Sequence, residues 1–406
     1  MPRRVAITSV GGFSSLGFSL GEIADNLRNE RIVFERPSFD DTLVSSPVRD
    51  FDLKHVTGPF KERRYLNRGA QFCVASAVEA VRRAGMGGGM KERTGLFVGV
   101  GPNLDIGGEF PEIRCGIMDR QDLSALWILR FLPNTAASAI ARLAGIHGEN
   151  FTLTTACSAS LQAIGEAFRK IRDGYLDAAL AGGGDSRLSR GGLLAYKKAN
   201  ALYRGNGTPE KASRPFDLNR KGFVPGEGGA FFLLEEMENA VRFKRKILGE
   251  ICGFGASLDG HAMTDPDPAG RWGEIAACEA LREAGLSPRQ IDVLSAHGTG
   301  TPLNDIMEAN LMSRIFGKDT PAVIALKSWI GHASAACGAL ELALCLACMH
   351  DDYLPAIRNL EDPVHGAVNF VRKGRHGAFH TVMLENFGFG GQNSALVVRK
   401  AGSHGL

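Results

Sequence analysis

The chain carries a cysteine at a position where a thiol can act as a nucleophile. Cys157 lies in the run FTLTTACSASLQAIGEAFRKIRDG, whose residues 151–156 have the composition of a strand. Apolar residues then recur at helical spacing, at Leu161, Ile164, Phe168 and Ile171. A thiol between strand and helix faces unpaired N–H groups and the positive helix end, which lower its pKa from about 8.5 and can stabilise an oxyanion. The position predicts a thiolate nucleophile, with an inert core cysteine as the alternative and the reaction class open.

A second segment, SAHGTGTPLNDIMEAN, places a histidine at the end of a predicted strand. The strand ends at His297, and Thr299 and Thr301 in the following turn offer hydroxyls to a polar ligand. Asn304 or Asp305 is predicted to cap the helix that follows. Because the carboxyl end of a buried strand is the usual place for a site in an α/β sheet, His297 is a candidate site residue.

A third segment, AVIALKSWIGHASAACGALELAL, contributes a lysine and a second histidine. Lys327 follows five apolar residues, so its ammonium group must find a partner or reach solvent. Glu308 is the predicted partner, and its alternative role is the capping-box partner of Asp305. His332 precedes an apolar helix, where a structural role at the helix start is the alternative to a chemical one.

A fourth segment, ENFGFGGQNSALVV, surrounds one aromatic residue with glycines. Phe389 lies between Gly388 and the pair Gly390 and Gly391, in a loop that joins two predicted strands. Glycines allow such a loop to approach a ligand closely and to move. Phe389 is therefore predicted to be either a gate or an anchor.

Short apolar runs that alternate with helical patterns must position these side chains. Buried strands are predicted at residues 5–8, 94–98, 178–181, 230–234, 293–296 and 323–326. Helices are predicted at residues 71–84, 159–173, 273–284, 305–316 and 334–350. This alternation indicates an α/β fold with parallel crossovers. Because turns after parallel strands gather at one edge, the four segments are expected to meet there.

The charged stretch at residues 235–245 is predicted to separate two domains, residues 1–245 and 246–406. Each half opens with a strand that runs into a Gly-rich turn, ITSVGG in the first and EICGFG in the second. This similarity indicates a weak internal duplication.

Composition excludes several classes of function. With 406 residues, a net charge of +3 and 44% hydrophobic residues, neither nucleic acid nor a membrane is an expected partner. No run approaches the ~20 apolar residues of a membrane span, and no signal peptide is evident, so a cytoplasmic enzyme is predicted. Dinucleotide, P-loop, GxSxG and metal-ligand motifs are missing, so no metal is expected. The other seven cysteines, including Cys345 and Cys348, are predicted to be reduced core residues.

Five segments together resemble the elongating β-ketoacyl-ACP synthases, condensing enzymes of the thiolase-like superfamily. They are, in chain order, LPNTAASAIARLAGIHGENFTLTTACSAS, SRPFDLNRKGFVPGEGG, AHGTGTPLNDIMEAN, KSWIGHASAACGALE and NFGFGGQNSA. Five motifs in the right order, over nearly the whole chain, make the resemblance specific. It implies a thiolase-like α/β fold, with duplicated halves in an α-β-α-β-α layered arrangement.

The resemblance also implies a reaction and roles for its catalytic residues. Cys157 accepts an acyl chain from a thioester, and His297 and His332 support malonyl decarboxylation and stabilise the enolate oxygen. Lys327 organises this site, with Glu308 as its ion-pair partner. The enzyme is expected to be an acyltransferase that performs a decarboxylative Claisen condensation with malonyl-ACP.

Further residues acquire binding roles from the same resemblance. The backbone N–H groups of Cys157 and Phe389 form the oxyanion hole, and Phe389 is also the gate. Thr299 and Thr301 hold the phosphopantetheine arm, which belongs to the carrier protein, so no cofactor of the enzyme itself is expected.

The partner implied is an acidic acyl carrier protein. The segment FKERRYLNRGAQF places Arg64 and Arg68 four residues apart, on one face of a predicted helix, and matches the region where the family docks its carrier. A solvated basic helix end is the alternative. A homodimer is expected, and a heterodimer with a chain-length-factor-like subunit is the other arrangement.

Some residues depart from the common family pattern without removing a catalytic group. They are Ser158 and Ser160 after the nucleophile, Trp329, Ala335 and Gln392. These departures leave room for a polyketide-like or polyene pathway beside fatty-acid elongation. Two alternatives are a non-catalytic chain-length partner, which lacks the cysteine, and a thiolase, which uses a second cysteine near the C-terminus. The presence of Cys157 and the lack of any cysteine after Cys348 disfavour both.

Overall fold

Ten strands form one mixed sheet in the computed structural model, which describes residues 2–85, 93–104 and 125–402. The strands are β1 (Val5–Phe13), β2 (Thr94–Gly99), β3 (Asn150–Leu153), β4 (Ala178–Ser186), β5 (Glu227–Glu236), β6 (Gly249–Leu258), β7 (Val293–Ser295), β8 (Ala322–Ile324), β11 (Thr381–Gly388) and β12 (Gln392–Lys400). Two short strands, β9 (Tyr353–Leu354) and β10 (Arg375–His376), pair separately. All six predicted strands are present.

Helices cover the sheet on both faces. They are α1 (Leu20–Arg28), α2 (Leu53–Thr57), α3 (Arg68–Arg83), α4 (Thr135–Ala144), α5 (Ala159–Arg172), α6 (Arg190–Lys198), α7 (Met237–Arg242), α8 (Arg271–Ala284), α9 (Pro302–Phe316), α10 (Lys327–Ile330) and α11 (Cys337–Asp351). The five predicted helices correspond to α3, α5, α8, α9 and α11.

The order of the strands repeats between the two halves of the chain. The sheet runs β3-β2-β4-β5-β1-β6-β12-β11-β7-β8. If the strands of each half are numbered from one to five along the chain, each half has the order 3-2-4-5-1 from the outer edge of the sheet to its middle. The two halves meet where β1 pairs with β6. The repeat supports the predicted duplication and favours the domain division after residue 245, which stays a prediction.

The sheet is mixed, and the predicted parallel pairing is found between the outer strands of each half. β2 pairs in parallel with β3 and β4, and β7 with β8 and β11. β5 and β12 instead pair antiparallel with both of their neighbours. Strand and helix periodicity reports which segments are strands, but the direction of a strand depends on how the connecting segment crosses the sheet.

Three groups of helices give the molecule five layers. α5 and α11 pack between the two halves of the sheet, in a core that includes Ile164, Leu344, Phe232 and Leu396. α3 and α4 cover the outer face of the first half, and α8 and α9 cover the outer face of the second. The arrangement is the α-β-α-β-α layering that the resemblance implied.

α11 is apolar all round because it lies in the central layer. Within the described residues, Ser334–Asp351 is the one helical stretch long and apolar enough to cross a membrane, but 89% of it is buried inside the protein. It has the composition of a core helix of a layered α/β protein.

Most of the remaining cysteines lie in the core, as predicted. Cys73, Cys337, Cys345 and Cys348 are buried. Cys252 is half-buried and Cys278 is exposed on α8, so a core position is wrong for Cys278. Cys115 lies outside the described residues.

Candidate active site

Cys157 lies in a tight turn between β3 and α5, as predicted. The 3₁₀ turn Ala156–Ser158 opens with Ala156 at a φ of 48°, in the left-handed region. This conformation, rare for a residue with a side chain, is typical of functional turns. The hydroxyl of Ser158 lies 2.9 Å from the carbonyl oxygen of Asn386 and 2.7 Å from that of Gln392, which ties the turn to β11 and β12.

Burial changes the acidity of the thiol in the direction opposite to that predicted. Cys157 is 9% exposed. Burial raises the pKa of its thiol to about 11, although the charge of Lys327 and a hydrogen bond from the backbone N–H of Phe389 act to lower it. The expected lowering of the thiol pKa at a helix start is therefore wrong, because desolvation of the thiolate outweighs the positive charges around it.

The loop that carries Phe389 reaches the nucleophile because Gly388 has no side chain. A Cβ atom on Gly388 would lie 3.0 Å from the backbone nitrogen of Cys157. The Phe389 N–H consequently points at the sulfur. Phe389 is 38% exposed, and its ring lies edge-on to that of Tyr196, with 6.5 Å between the ring centres. Two N–H groups, those of Cys157 and Phe389, are thus available beside the thiol.

The two histidines lie next to one another, in the interior. Their rings are 5.5 Å apart and nearly perpendicular, and His297 and His332 are 2% and 4% exposed. Burial, followed by the charge of Lys327, holds the pKa of both imidazoles well below the usual value, so both rings are neutral at neutral pH. A neutral imidazole carries one N–H donor and one lone pair.

The backbone determines which nitrogen of His332 carries the proton. The N–H of Ser334 donates to Nδ1 of His332 at 3.1 Å. Because an amide N–H can only donate, Nδ1 must be the acceptor nitrogen, and the proton of the neutral ring lies on Nε2.

Lys327 pairs with a carboxylate other than the one predicted. Its Nζ lies 2.5 Å from Oε1 of Glu341, and both side chains are almost fully buried. Burial acts to lower the pKa of Lys327, but Glu341 raises it above its usual value overall, so the lysine is charged. The predicted ion pair of Lys327 with Glu308 is therefore wrong, because α11 brings Glu341 closer.

Glu308 instead holds the backbone that follows β7. Its two carboxyl oxygens accept from the N–H of His297 at 2.6 Å and from that of Gly298 at 2.9 Å. Burial raises the pKa of Glu308 to about 8 despite these donors, which leaves it little charge to offer Lys327 at neutral pH. Glu308 positions the main chain at His297.

The cap of α9 also differs from the prediction. The helix begins at Pro302 with Thr301 as the N-cap residue, rather than at Asn304 or Asp305. Asp305 accepts from the backbone N–H of Phe216 at 2.7 Å, so it holds a neighbouring loop and is not one half of a capping box.

One cavity joins the predicted residues. It has a volume of about 530 Å³ and reaches Cys157, His297, His332, Thr299, Thr301 and Phe389. The hydroxyls of Thr299 and Thr301 lie 2.8 Å apart at its wall. The cavity is therefore lined by one thiol, two neutral imidazoles and two hydroxyl groups.

The basic segment does not form the continuous helix that was predicted. Arg64 lies on a 3₁₀ turn, Lys61–Tyr65, whereas Arg68 begins α3, so the two do not share a helix face. The Arg68 guanidinium pairs with buried Glu227 through Nη2 at 2.6 Å and Nε at 2.7 Å. Both arginines are exposed, but the Arg68 guanidinium is held by Glu227, whereas the Arg64 guanidinium stacks on Tyr65.

Two site residues were missed from the sequence. Asn386 donates to Oε2 of Glu341 at 2.7 Å and lies 3.4 Å from Nδ1 of His297, so it links the ion pair to that ring. Glu341 had a signal, since a lone carboxylate in an apolar helix needs a buried partner. Asn386 had none, because its role depends on the neighbours that β11 meets.

The unusual Trp329 is explained by packing outside the site. It is 2% exposed, its indole N–H donates to the carbonyl oxygen of Ala356 at 2.8 Å, and it does not line the cavity. No group of three or more His, Cys, Asp or Glu side chains is placed to hold a metal ion in the part of the chain that the structure describes.

Comparison with known families and proteins gives matches over nearly the whole chain. The family model of the β-ketoacyl synthase N-terminal domain matches residues 2–240, and that of the C-terminal domain matches residues 248–361. The chain is 35% identical to 3-oxoacyl-[acyl-carrier-protein] synthase 2 of Coxiella burnetii, over 98% of this chain and 99% of that protein.

Further matches include a protein named as a polyketide beta-ketoacyl synthase and the solved structure of a beta-ketoacyl synthase. The chain is 32% identical to a putative polyketide beta-ketoacyl synthase 1 of Streptomyces halstedii, over 98% of each. It superposes with a TM-score of 0.90 on the crystal structure of a beta-ketoacyl synthase from Burkholderia phymatum, at 30% identity, over 98% of this chain and 100% of that one.

Proposed function

The chain belongs to the β-ketoacyl synthase family, and we propose that it extends an acyl chain held on Cys157 with a two-carbon unit from malonyl-ACP. Such an enzyme is a condensing acyltransferase of the 3-oxoacyl-[acyl-carrier-protein] synthase type. The observation that carries the proposal is the shared cavity, which brings one thiol, two neutral histidines and the N–H of Phe389 to the same place.

Acyl transfer is the first half of the reaction. The sulfur of Cys157 attacks the thioester carbonyl of the acyl carrier, a new C–S bond forms, and the carrier thiol leaves with the proton that the cysteine loses. Negative charge on the carbonyl oxygen is met by the N–H groups of Cys157 and Phe389, which act as a preorganised oxyanion hole. The covalent intermediate separates this step from condensation and implies ping-pong kinetics.

Decarboxylation and condensation form the second half. The malonyl thioester loses CO₂, and the enolate oxygen that develops accepts hydrogen bonds from Nε2 of His297 and His332. The enolate carbon then attacks the acyl carbonyl, the new C–C bond forms, and the C–S bond to Cys157 breaks; the sulfur leaves as a thiolate and takes a proton from solvent to restore the thiol. Neutral donors suit this step because they meet charge that appears only along the reaction. The Lys327–Glu341 ion pair sets the electrostatic field around the histidines. Glu308 fixes the main chain at His297 by accepting its hydrogen bonds.

The partner we propose is an acyl carrier protein, whose phosphopantetheine arm passes Thr299 and Thr301. No further cofactor enters this scheme. Arg64 is the better candidate for a contact with the acidic carrier, because Arg68 is paired with Glu227. Assembly as a homodimer, or with a chain-length-factor-like subunit, belongs to the same proposal, as do a cytoplasmic location and a place in fatty-acid or polyketide elongation.

Intact-protein mass spectrometry after incubation with an acyl carrier thioester tests the proposal. Wild-type protein is expected to gain the mass of one acyl group, and Cys157→Ala none. Cys345→Ala is the matched control, since it removes another buried thiol from the central layer and should gain the acyl mass as the wild type does. If the wild type gains no acyl mass, or if Cys157→Ala gains as much, the proposed function is wrong.

A further inference from the structure

A second cysteine contacts the catalytic histidine pair from the side of the protein interior. The sulfur of Cys337, the first residue of α11, lies 3.0 Å from Nδ1 of His332. Cys337 is 2% exposed and does not line the cavity that His332 shares with Cys157. The thiol therefore contacts Nδ1 of His332 from outside the cavity.

The thiol in this contact is the donor. Burial raises the pKa of Cys337 well above its usual value, although Lys327 acts to lower it, so the group is S–H at neutral pH. The ring of His332 is neutral, and its Nδ1 already accepts from the N–H of Ser334. A thiol that keeps its proton beside a nitrogen that has none can only donate to it.

We propose that Cys337 is a positioning residue for the condensation: its S–H donates to Nδ1 of His332 and, together with the Ser334 N–H, keeps the ring proton on Nε2. The inference rests on the proposed function, because Nε2–H matters for activity only if His332 donates to the enolate. It extends that function to a residue which touches neither substrate nor reacting atoms.

The backbone N–H of Ser334 is one of several groups that orient the His332 ring. Ser334 has a φ of 49°, in the left-handed region, so its N–H reaches Nδ1 through a strained turn. The ring is otherwise held by Phe223, whose ring centre lies 4.8 Å away. A second donor narrows the orientation of the ring and lowers the basicity of Nδ1, because the lone pair is shared with two hydrogens instead of one.

Charged and titratable groups face His332 from several elements. They are Lys327 on α10, Glu341 on α11, His297 after β7, Cys157 before α5 and Asp185 on β4, which accepts from the N–H of Ala335. The lysine opposes protonation of the ring, and its pairing with Glu341 moderates that effect. Replacement of Cys337 by alanine leaves all five groups in place, so a change in titration reports the lost S–H.

The test compares Cys337→Ala with Cys337→Ser, which keeps a hydroxyl donor of smaller size. Release of CO₂ from malonyl-ACP is measured between about pH 5.5 and 8.5. Cys337→Ala is expected to lower kcat about three- to tenfold, the worth of one hydrogen bond, with little change in KM and with the acid limb of the profile moved to higher pH. Cys337→Ser should restore most of kcat and the acid limb. Acylation of Cys157 should be unaffected in both.

Two controls separate this effect from packing and from failure of the proposed function. Cys345→Ala removes a buried thiol from the same helix and should leave the profile unchanged. The tautomer is read independently by NMR of ¹⁵N-histidine protein, with the His332 signal assigned by His332→Asn; the Nδ1 signal should be that of an unprotonated nitrogen and should move in Cys337→Ala.

The proposal is overturned if the acid limb and the Nδ1 signal are both unchanged in Cys337→Ala, or if Cys337→Ser loses as much as Cys337→Ala. If wild-type protein releases no CO₂, the proposed function fails, and the NMR measurement still decides whether the thiol donates to His332.

Discussion

Each half of the chain builds the same kind of helix start, and the two starts face one another in the central layer. In the first half, β3 leads to Ala156, with a φ of 48°, to a 3₁₀ turn and to α5. In the second, the chain after α10 leads to Ser334, with a φ of 49°, to a 3₁₀ turn and to α11. The backbone of the two turns is alike, although their sequences, ACS and SAA, differ.

The side chains at matching positions of the two turns differ in chemical type. Cys157 is the second residue of the first turn, and Ala335 occupies that position in the second. His332 lies two residues before the second turn, where Thr154 lies before the first. The two turns therefore share a backbone geometry, and in the proposed mechanism the residue type placed on each turn decides which half-reaction it serves.

The helices after the turns differ in charge. Glu341 on α11 pairs with Lys327, and the matching residue on α5 is Ala163, which is fully buried among apolar side chains. The second half therefore carries a buried ion pair beside the histidines, whereas the helix after the Cys157 turn has an uncharged alanine at the matching position.

The largest expected effect tests the division of labour. His332→Ala should slow CO₂ release from malonyl-ACP by about 10²- to 10³-fold, because a donor to the developing enolate is lost, while acylation of Cys157 proceeds normally. Single-turnover acylation and CO₂ release are measured on the same preparation. CO₂ release at the wild-type rate, or a parallel loss of acylation, would contradict the division between the two helix starts.

The next effect concerns the ion pair that only the second half contains. Glu341→Gln should lower the free energy of unfolding by about 3–5 kcal/mol, because Lys327 is left as an uncompensated buried charge. Chemical denaturation provides the measurement, and Glu279→Gln is the control, since its partner Arg282 is 71% exposed. The control should lose at most about 1 kcal/mol. An equal loss in both variants would show that burial does not increase the contribution of the Lys327–Glu341 pair to the free energy of unfolding.

The smallest effect, when counted per pH unit, compares the reactivity of the two thiols at the helix starts. Because burial raises the pKa of Cys157 to about 11, its thiolate fraction rises about tenfold per pH unit between pH 7 and 10, and alkylation by iodoacetamide should accelerate accordingly. Cys337 lies away from the cavity and should react more slowly at every pH. Peptide mapping of alkylated protein follows both sites. A Cys157 rate that levels off near pH 8.5, as for an unperturbed cysteine, would contradict the raised pKa.

The sequence predicted the elements well because their signals are local. The strands Ala178–Ser186 and Val293–Ser295 are buried on both faces and begin with apolar residues, and the helices show their own periodicity. The position of Cys157, His297, Lys327 and His332 after strands followed from that pattern, and the structure brings all four to one place. The resemblance to a known family supplied the reaction, which residue types alone had left open.

The partners of these residues were harder to predict. Glu308 and Glu341 are both single carboxylates on helices, and only the approach of α11 to α10 decides that Lys327 pairs with the latter. Arg68 was assigned to carrier docking, and it does lie at the surface, but Glu227 on β5, far away in the chain, pairs with its guanidinium. Cys337 was assigned to the core, which is correct for its burial but does not reveal its contact with His332.

By itself the sequence determined the residue types, their positions at strand ends and helix starts, and the membership of a family, because each depends on neighbours in the chain or on motif order. Only the tertiary structure decided the mixed direction of the strands, the Lys327–Glu341 pair, the Cys337–His332 contact and the raised pKa of Cys157. These features depend on which segments pack together and exclude water. The strength of an interaction between two charges depends on the dielectric environment that this packing creates, and no single segment determines that environment.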